Sequence, residues 1–177
     1  MKTTSILIAG FGGQGTLFAG KVLAIASLYK GLEVSWLPSY GPEMRGGTAN
    51  CSVIVSDDPI GSPIVSKPDI LIALNKPSFE KYEKLASEGA YVFVDSSLVD
   101  SKSERKDISV FYVPATELAA GIGGANLSNI VLVGKALKET GLFSEAEISE
   151  VFEKLIPEKK AALRDLNRKA LGAGFNF

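Results

Sequence analysis

A chain of 177 residues with 46% hydrophobic and 22% charged side chains is long enough to bury a core and ordinary for a globular protein. The 19 basic and 20 acidic residues leave a net charge of −1, so no broad attraction to nucleic acid or to an acidic lipid surface is expected. There is no histidine, which excludes imidazole acid–base chemistry, His-based triads and His-rich metal sites within the chain. A single cysteine, Cys51, excludes an internal disulfide and a cluster held by four thiolates of this chain.

Met1 to Ser5 lead straight into a strand-like run without a signal-peptide core. Ile70 to Leu74 and Tyr91 to Val94 are among the longest apolar stretches and are strand-length, too short to cross a bilayer. A cytoplasmic protein is expected.

In chain order, Ile6 to Ala9 form an apolar run that ends in a glycine-rich turn, Gly10 to Gly15. Phe18, Val22, Ile25 and Tyr29 follow at helical spacing, and Gly31 is a natural stop. Val34 to Leu37 reads as a second strand, Pro38 to Thr48 as a loop and Ala49 to Val55 as a third strand. No helix fits between those two strands, so they are expected to be antiparallel or joined by a loop crossover, within a mixed sheet. Asp57-Asp58-Pro59 and Ser62-Pro63 mark turns. Ile70 to Leu74 is the next strand. Asn75 and Pro77 suggest a capped helix start, with Phe79, Tyr82 and Leu85 on its buried face.

Tyr91 to Val94 and Val110 to Val113 complete the strands. Leu127 to Thr140 has a helical pattern stopped by Gly141, with Gly121 to Gly124 and Asn126 forming the loop into its capped start. Ser144 and Glu147 form a capping-box signature ahead of an apolar stripe of Ile148, Val151, Phe152, Leu155 and Ile156. Pro157 opens a last helix with Leu163, Leu166 and Leu171 on one face. Neither a repeat nor a linker interrupts the chain. The expected fold is α/β: one domain over residues 1–177, three α/β/α layers around a mostly parallel, mixed sheet, with a Rossmann-like first βα turn.

Gly10-Phe11-Gly12-Gly13-Gln14-Gly15 fits the G-x-G-x-x-G pattern between a strand and a helix, where glycines let backbone N–H groups approach a phosphate at the helix N-terminus. A NAD site also wants an acidic residue after the second strand to hold the ribose; here Glu33 precedes that strand. A turn that only packs the first helix on the sheet, and one that binds another anion or a partner loop, both stay open. In Ser39-Tyr40-Gly41-Pro42-Glu43-Met44-Arg45-Gly46-Gly47, Arg45 could pair bidentately with a carboxylate or phosphate. Equally, Glu43 and Arg45 could simply brace the loop. Asn75, Asp95-Ser96-Ser97 and Thr116 also follow strands, so parallel strands would gather all these segments at one carboxyl edge, where open α/β sheets bind ligands. Cys51, within a strand, reads as a buried structural thiol.

The stretches GFGGQGTLFAGKVLA, SYGPEMRGGTANCSVIVS and KPDILIALN, followed by VPATELA and NIVLVGKAL, resemble in order and spacing the gamma subunit of 2-oxoacid:ferredoxin oxidoreductases. The 2-oxoglutarate type is most similar, with the 2-oxoisovalerate, pyruvate and indolepyruvate types open. The resemblance implies CoA-dependent oxidative decarboxylation of a 2-oxoacid, with ferredoxin or a similar carrier taking the electrons. It also implies thiamine diphosphate, magnesium and iron–sulfur clusters carried by alpha, beta and in some members delta subunits, since no thiamine motif and no cluster-binding cysteines are present here. Coenzyme A phosphates would suit Gly10, Gly12, Gly13, Gln14 and Gly15, or Glu43 and Arg45; no residue of this chain is assigned a catalytic or metal-binding role. The rival readings are a stand-alone NAD(P) dehydrogenase and a nucleotide-sensing module.

Overall fold

The computed structural model describes residues 3–40 and 48–177. Six strands, β1 (Thr4–Phe11), β2 (Glu33–Tyr40), β3 (Thr48–Ser56), β4 (Ile70–Ala73), β5 (Tyr91–Asp95) and β6 (Ser109–Val113), form one sheet in the order β2-β3-β1-β4-β5-β6. Strands β1, β4, β5 and β6 are parallel, and β3 is antiparallel to both its neighbours. That antiparallel pair turns β2 back into the direction of β1, so the sheet is mixed, as the short β2–β3 connection requires.

The central strands are apolar at nearly every position because both faces are covered. Ile6, Ile8, Ile70, Ile72 and Phe93 point into the larger core, beneath α1 (Thr16–Tyr29), α3 (Ala115–Gly121), α4 (Ser128–Thr140), α5 (Glu145–Leu155) and α6 (Ala161–Phe175). Leu7, Ala9, Leu71, Ala73, Val92 and Val94 point the other way. The three layers are therefore unequal. The second face is covered by the short α2 (Lys76–Tyr82) and by irregular backbone over 96–108, which contributes Val99 and Ile108. The Arg105 guanidinium holds that strap down by donating to the carbonyls of Glu83 and Ala86 at 2.8 and 2.9 Å, while Ser103 N–H donates to the Tyr112 hydroxyl at 2.7 Å.

Several expected details are corrected. Of the four α1 residues at helical spacing, Val22 is fully buried, Phe18 and Ile25 pack half-buried against the core and Tyr29 is exposed; the helix also buries Ala19, Leu23 and Ala26, because small side chains let it lie close to β3. Leu85 is exposed because α2 stops at Tyr82 and tightens into a 3₁₀ turn over Glu83–Leu85. Asn126 is exposed and does not cap α4, whose N-cap is Leu127 without a side-chain bond. Pro157 precedes a 3₁₀ turn, Glu158–Lys160, and α6 starts at Ala161. Its Leu163 is exposed; the buried seam is Asn167, Ala170, Leu171 and Gly174. A Cβ on Gly134 would collide with the Leu171 carbonyl and one on Gly174 with the Val131 carbonyl, so α4 and α6 touch backbone to backbone.

Candidate functional site

The parallel strands do bring the glycine turn, Asn75, Asp95–Ser97 and Thr116 to one edge. Gly10 is paired with Ala49, and Ala49 with Tyr40, so β2 ends and β3 begins at the level of the turn. Glu43 and Arg45 lie outside the described residues.

Gln14 closes the turn. Its Oε1 accepts from Phe11 N–H at 2.7 Å and from Asn75 Nδ2 at 3.0 Å, and its Nε2 donates to the Leu74 carbonyl at 3.1 Å. One side chain thus ties the end of β1 to the end of β4. Asn75 in turn caps α2, accepting from Ser78 N–H at 2.9 Å. Gly10 is needed for this packing, since a Cβ there would sit 2.8 Å from Gln14 Oε1 and 3.0 Å from Leu74 Cβ.

Gly15 is the N-cap of α1 with φ 76°, and a Cβ on it would collide with the side chain of Asn129. Asn129, on the first turn of α4, donates from Nδ2 to the Gly15 carbonyl at 2.9 Å. This buried residue was not singled out in the sequence; its Oδ1 has no partner among the described residues. Gly13, at φ 96°, has open space where a Cβ would point, and Gly12 is exposed. Two of the motif's glycines therefore serve internal packing, while Gly12 and Gly13 present backbone outward. The first turn of α1 holds no acidic side chain and its N-cap makes no side-chain bond, so the positive end of a 14-residue helix faces this rim, a favourable setting for an anion.

Asp95 is fully buried. Its Oδ1 accepts from the N–H groups of Ser97 and Thr116 at 3.1 and 3.2 Å, and its Oδ2 from the Thr116 hydroxyl at 2.6 Å. The carboxylate thereby joins the end of β5 to the start of α3, and its accepted bonds are all internal. Glu33 opens β2 opposite Ser56, at the far edge of the sheet from the glycine turn, and so cannot act as the ribose acid of a nicotinamide site. Cys51 is buried, and burial pushes its thiol up to about 12, against a smaller lowering by the Trp36 hydrogen bond. It is neutral at physiological pH and unsuited to nucleophilic or metal chemistry. No group of His, Cys, Asp and Glu among the described residues could hold a metal ion, and one buried thiol does not fit an iron–sulfur cluster.

Residues 5–177 match the family described as pyruvate ferredoxin/flavodoxin oxidoreductase. The chain belongs to this family. Its relatives include ketoisovalerate oxidoreductase subunit VorA of Methanothermobacter marburgensis, 39% identical over 99% of this chain but only 37% of that protein. The chain thus spans little more than a third of the length of that relative. The 2-oxoglutarate synthase subunit KorC of Methanocaldococcus jannaschii is 36% identical over 86% of this chain and 83% of that one. The crystal structure of a keto/oxoacid ferredoxin oxidoreductase gamma subunit from Geobacter sulfurreducens PCA superposes with a TM-score of 0.87 at 31% identity, covering 99% of this chain and 96% of the other. The six-stranded sheet and its helices are therefore the gamma-subunit fold. No helix among the described residues is long and apolar enough to cross a membrane.

Proposed function

We propose that this chain is the gamma subunit of a 2-oxoacid:ferredoxin oxidoreductase, a single gamma-type domain over residues 1–177 that works only inside a larger assembly. The observation that carries the reading is the family match over residues 5–177, joined to separate gamma-type chains of similar length. In the assembly a 2-oxoacid is oxidatively decarboxylated, coenzyme A takes the acyl group and ferredoxin takes the electrons. Thiamine diphosphate supplies carbanion stabilisation when bound elsewhere in the assembly. Alpha, beta and, in some members, delta subunits hold it together with magnesium and the clusters, because the described residues of this chain fit none of them. 2-Oxoglutarate is the favoured substrate, since the KorC relative covers most of both chains. 2-Oxoisovalerate is the second reading, supported by the VorA identity.

Within that assembly the carboxyl edge contributes to coenzyme A binding. Gly12 and Gly13 offer backbone N–H groups to a phosphate, with Gly10, Gln14 and Gly15 holding the turn in shape. Arg45, as a bidentate cation, and Glu43 are the further candidates for that contact. No nucleic acid or membrane takes part, and the protein works in the cytoplasm.

The test is to purify the tagged chain from its native host and assay 2-oxoacid-dependent viologen reduction, with and without coenzyme A, on 2-oxoglutarate, 2-oxoisovalerate and pyruvate. Coenzyme A-dependent turnover in company with larger subunits is expected. The lone chain with NAD(P)-linked activity would overturn the reading. For the edge itself, Gly12→Val and Arg45→Ala are expected to raise KM for coenzyme A at least tenfold; an unchanged KM in both removes this chain from the coenzyme A site.

A further inference from the structure

We infer that the free edge of β2, with the large apolar side chain on either side of it, is the surface on which the larger chain of the oxidoreductase sits; this rests on the subunit reading above. Among the described residues β2 is the last strand of the sheet and pairs only with β3. Trp36, level with Val53 and Ile6, faces the five-helix side; Leu37, level with Ser52 and Leu7, faces the other. Both stay exposed, at 40% and 41%. Trp36 is the chain's single tryptophan, a residue type over-represented among the side chains that dominate interface energies.

Charge sets this edge apart. Natural edge strands are usually guarded by charged side chains, a proline or a covering element. Of the eight residues of β2 only Glu33, at its far end, is charged, so Val34 to Tyr40 carry no charged guard. The opposite edge is treated differently. On β6, Lys102 lies 3.6 Å over the Tyr112 ring and Lys135 lies 5.5 Å from the centre of Phe111. Among the described residues no cation lies over Trp36 in this way. Pro38 lacks an N–H, so it breaks the row of donors that a continuing strand would need. The surface therefore suits side-chain packing better than sheet extension.

The occupant follows from the relatives. In VorA the part similar to this chain is 37% of a longer polypeptide, so the same fold is covalently continuous with a larger body. On the subunit reading, the partner that fits β2 is that larger body, meeting Trp36 and Leu37 with apolar side chains of its own. Strand β2 also ends beside Gly10, through Ala49, so a chain seated on it reaches the candidate coenzyme A edge.

The experiment co-expresses the chain with the larger subunits and compares Leu37→Lys and Ser39→Lys with wild type. Ile64→Lys, at a residue 70% exposed, is the control. Both edge variants are expected to lose at least tenfold of the captured larger chain and of viologen reduction, with circular dichroism and Tm of the isolated chain unchanged. Ile64→Lys should assemble normally. Normal assembly of both edge variants overturns the inference and leaves the subunit reading intact. If the wild type captures no larger chain, the subunit reading itself falls. A wild-type homodimer in light scattering that Leu37→Lys dissociates without harming assembly would show that a second copy covers this edge, which also overturns the inference.

Discussion

The side-chain amide of Asn129 donates to the carbonyl of Gly15 at 2.9 Å, across 114 residues of sequence. The bond fixes the start of α4 to the start of α1, and Asn129 Oδ1 has no partner among the described residues. Because Gly15 O also accepts from Ala19 N–H at 3.0 Å, Asn129→Ala should cost only about 1–2 kcal/mol. Asn129→Asp, which sets a carboxylate oxygen against that carbonyl in a buried site, should cost more, about 3 kcal/mol. Gly15→Ala should be worse than Gly13→Ala by more than about 1 kcal/mol, since both have positive φ but only Gly15 would drive a Cβ into a side chain. Urea denaturation of the four variants checks the order, and equal costs for the two glycines would refute it.

The contact between α4 and α6 makes a second prediction. Elsewhere in a helix, Gly→Ala is stabilising by about 1 kcal/mol. At Gly134 and Gly174 the new methyl would meet the backbone carbonyls of Leu171 and Val131, which cannot swing aside as a side chain can. Each Gly→Ala change should therefore destabilise by about 2–4 kcal/mol. The pair should be less than additive, because one separation of the helices relieves both clashes. Thermal unfolding of both single variants and the double variant measures this.

These two cases show where sequence reading stops. The central strands were legible because both faces of the sheet are buried and runs of four or five consecutive apolar residues announce it. Asn75 and the Ser144–Glu147 box were legible because a cap is a local bond with fixed spacing. The α6 seam was legible only at Leu171, since glycine, alanine and asparagine make up the rest of it and leave no hydrophobic period, while Leu163 lies on the exposed face. Helix α3, with small residues through ATELAAG, gave no stripe at all. At the candidate site the glycine motif was visible, but Asn129, which explains Gly15, is distant in sequence. Geometry divides the motif into packing glycines and outward ones, a division spacing alone could not make.

Asp95 separates a structural carboxylate from a reacting one. Alanine there would strand three donors, from Ser97 N, Thr116 N and the Thr116 hydroxyl, and should cost about 3 kcal/mol or more. Asparagine can keep its Oδ1 on the two backbone N–H groups while its amide donates to a Thr116 hydroxyl that reverses its role. Asp95→Asn should therefore lose only about 1 kcal/mol and should leave turnover of the assembled enzyme within about twofold. A far larger loss of turnover, in a variant that still assembles, would place Asp95 in the chemistry instead.

The α5 capping box makes stability depend on pH in a window of known sign. Glu147 accepts from Ser144 N–H at 2.7 Å and from its hydroxyl at 2.8 Å, and lies 3.1 Å from Lys30 Nζ. The backbone N–H of Ser144 leads, with its hydroxyl and Lys30 adding less, in holding the carboxyl below the ordinary glutamate value against the opposing effect of burial. Folded protein therefore binds fewer protons here than unfolded protein. The stabilisation is complete above the unfolded pKa of about 4.3 and disappears as pH falls through the lower folded value. Glu147→Gln should accordingly be less stable than wild type at pH 6, with the gap narrowing steadily between about pH 5 and 3. Ser144→Ala should lose about 1 kcal/mol at pH 6 and should also have a shallower acid slope, because it removes the hydroxyl bond to the carboxylate. Urea midpoints at half-unit pH steps decide it: a Glu147→Gln gap that stays constant or widens on acidification would mean that the capping carboxylate is not what titrates.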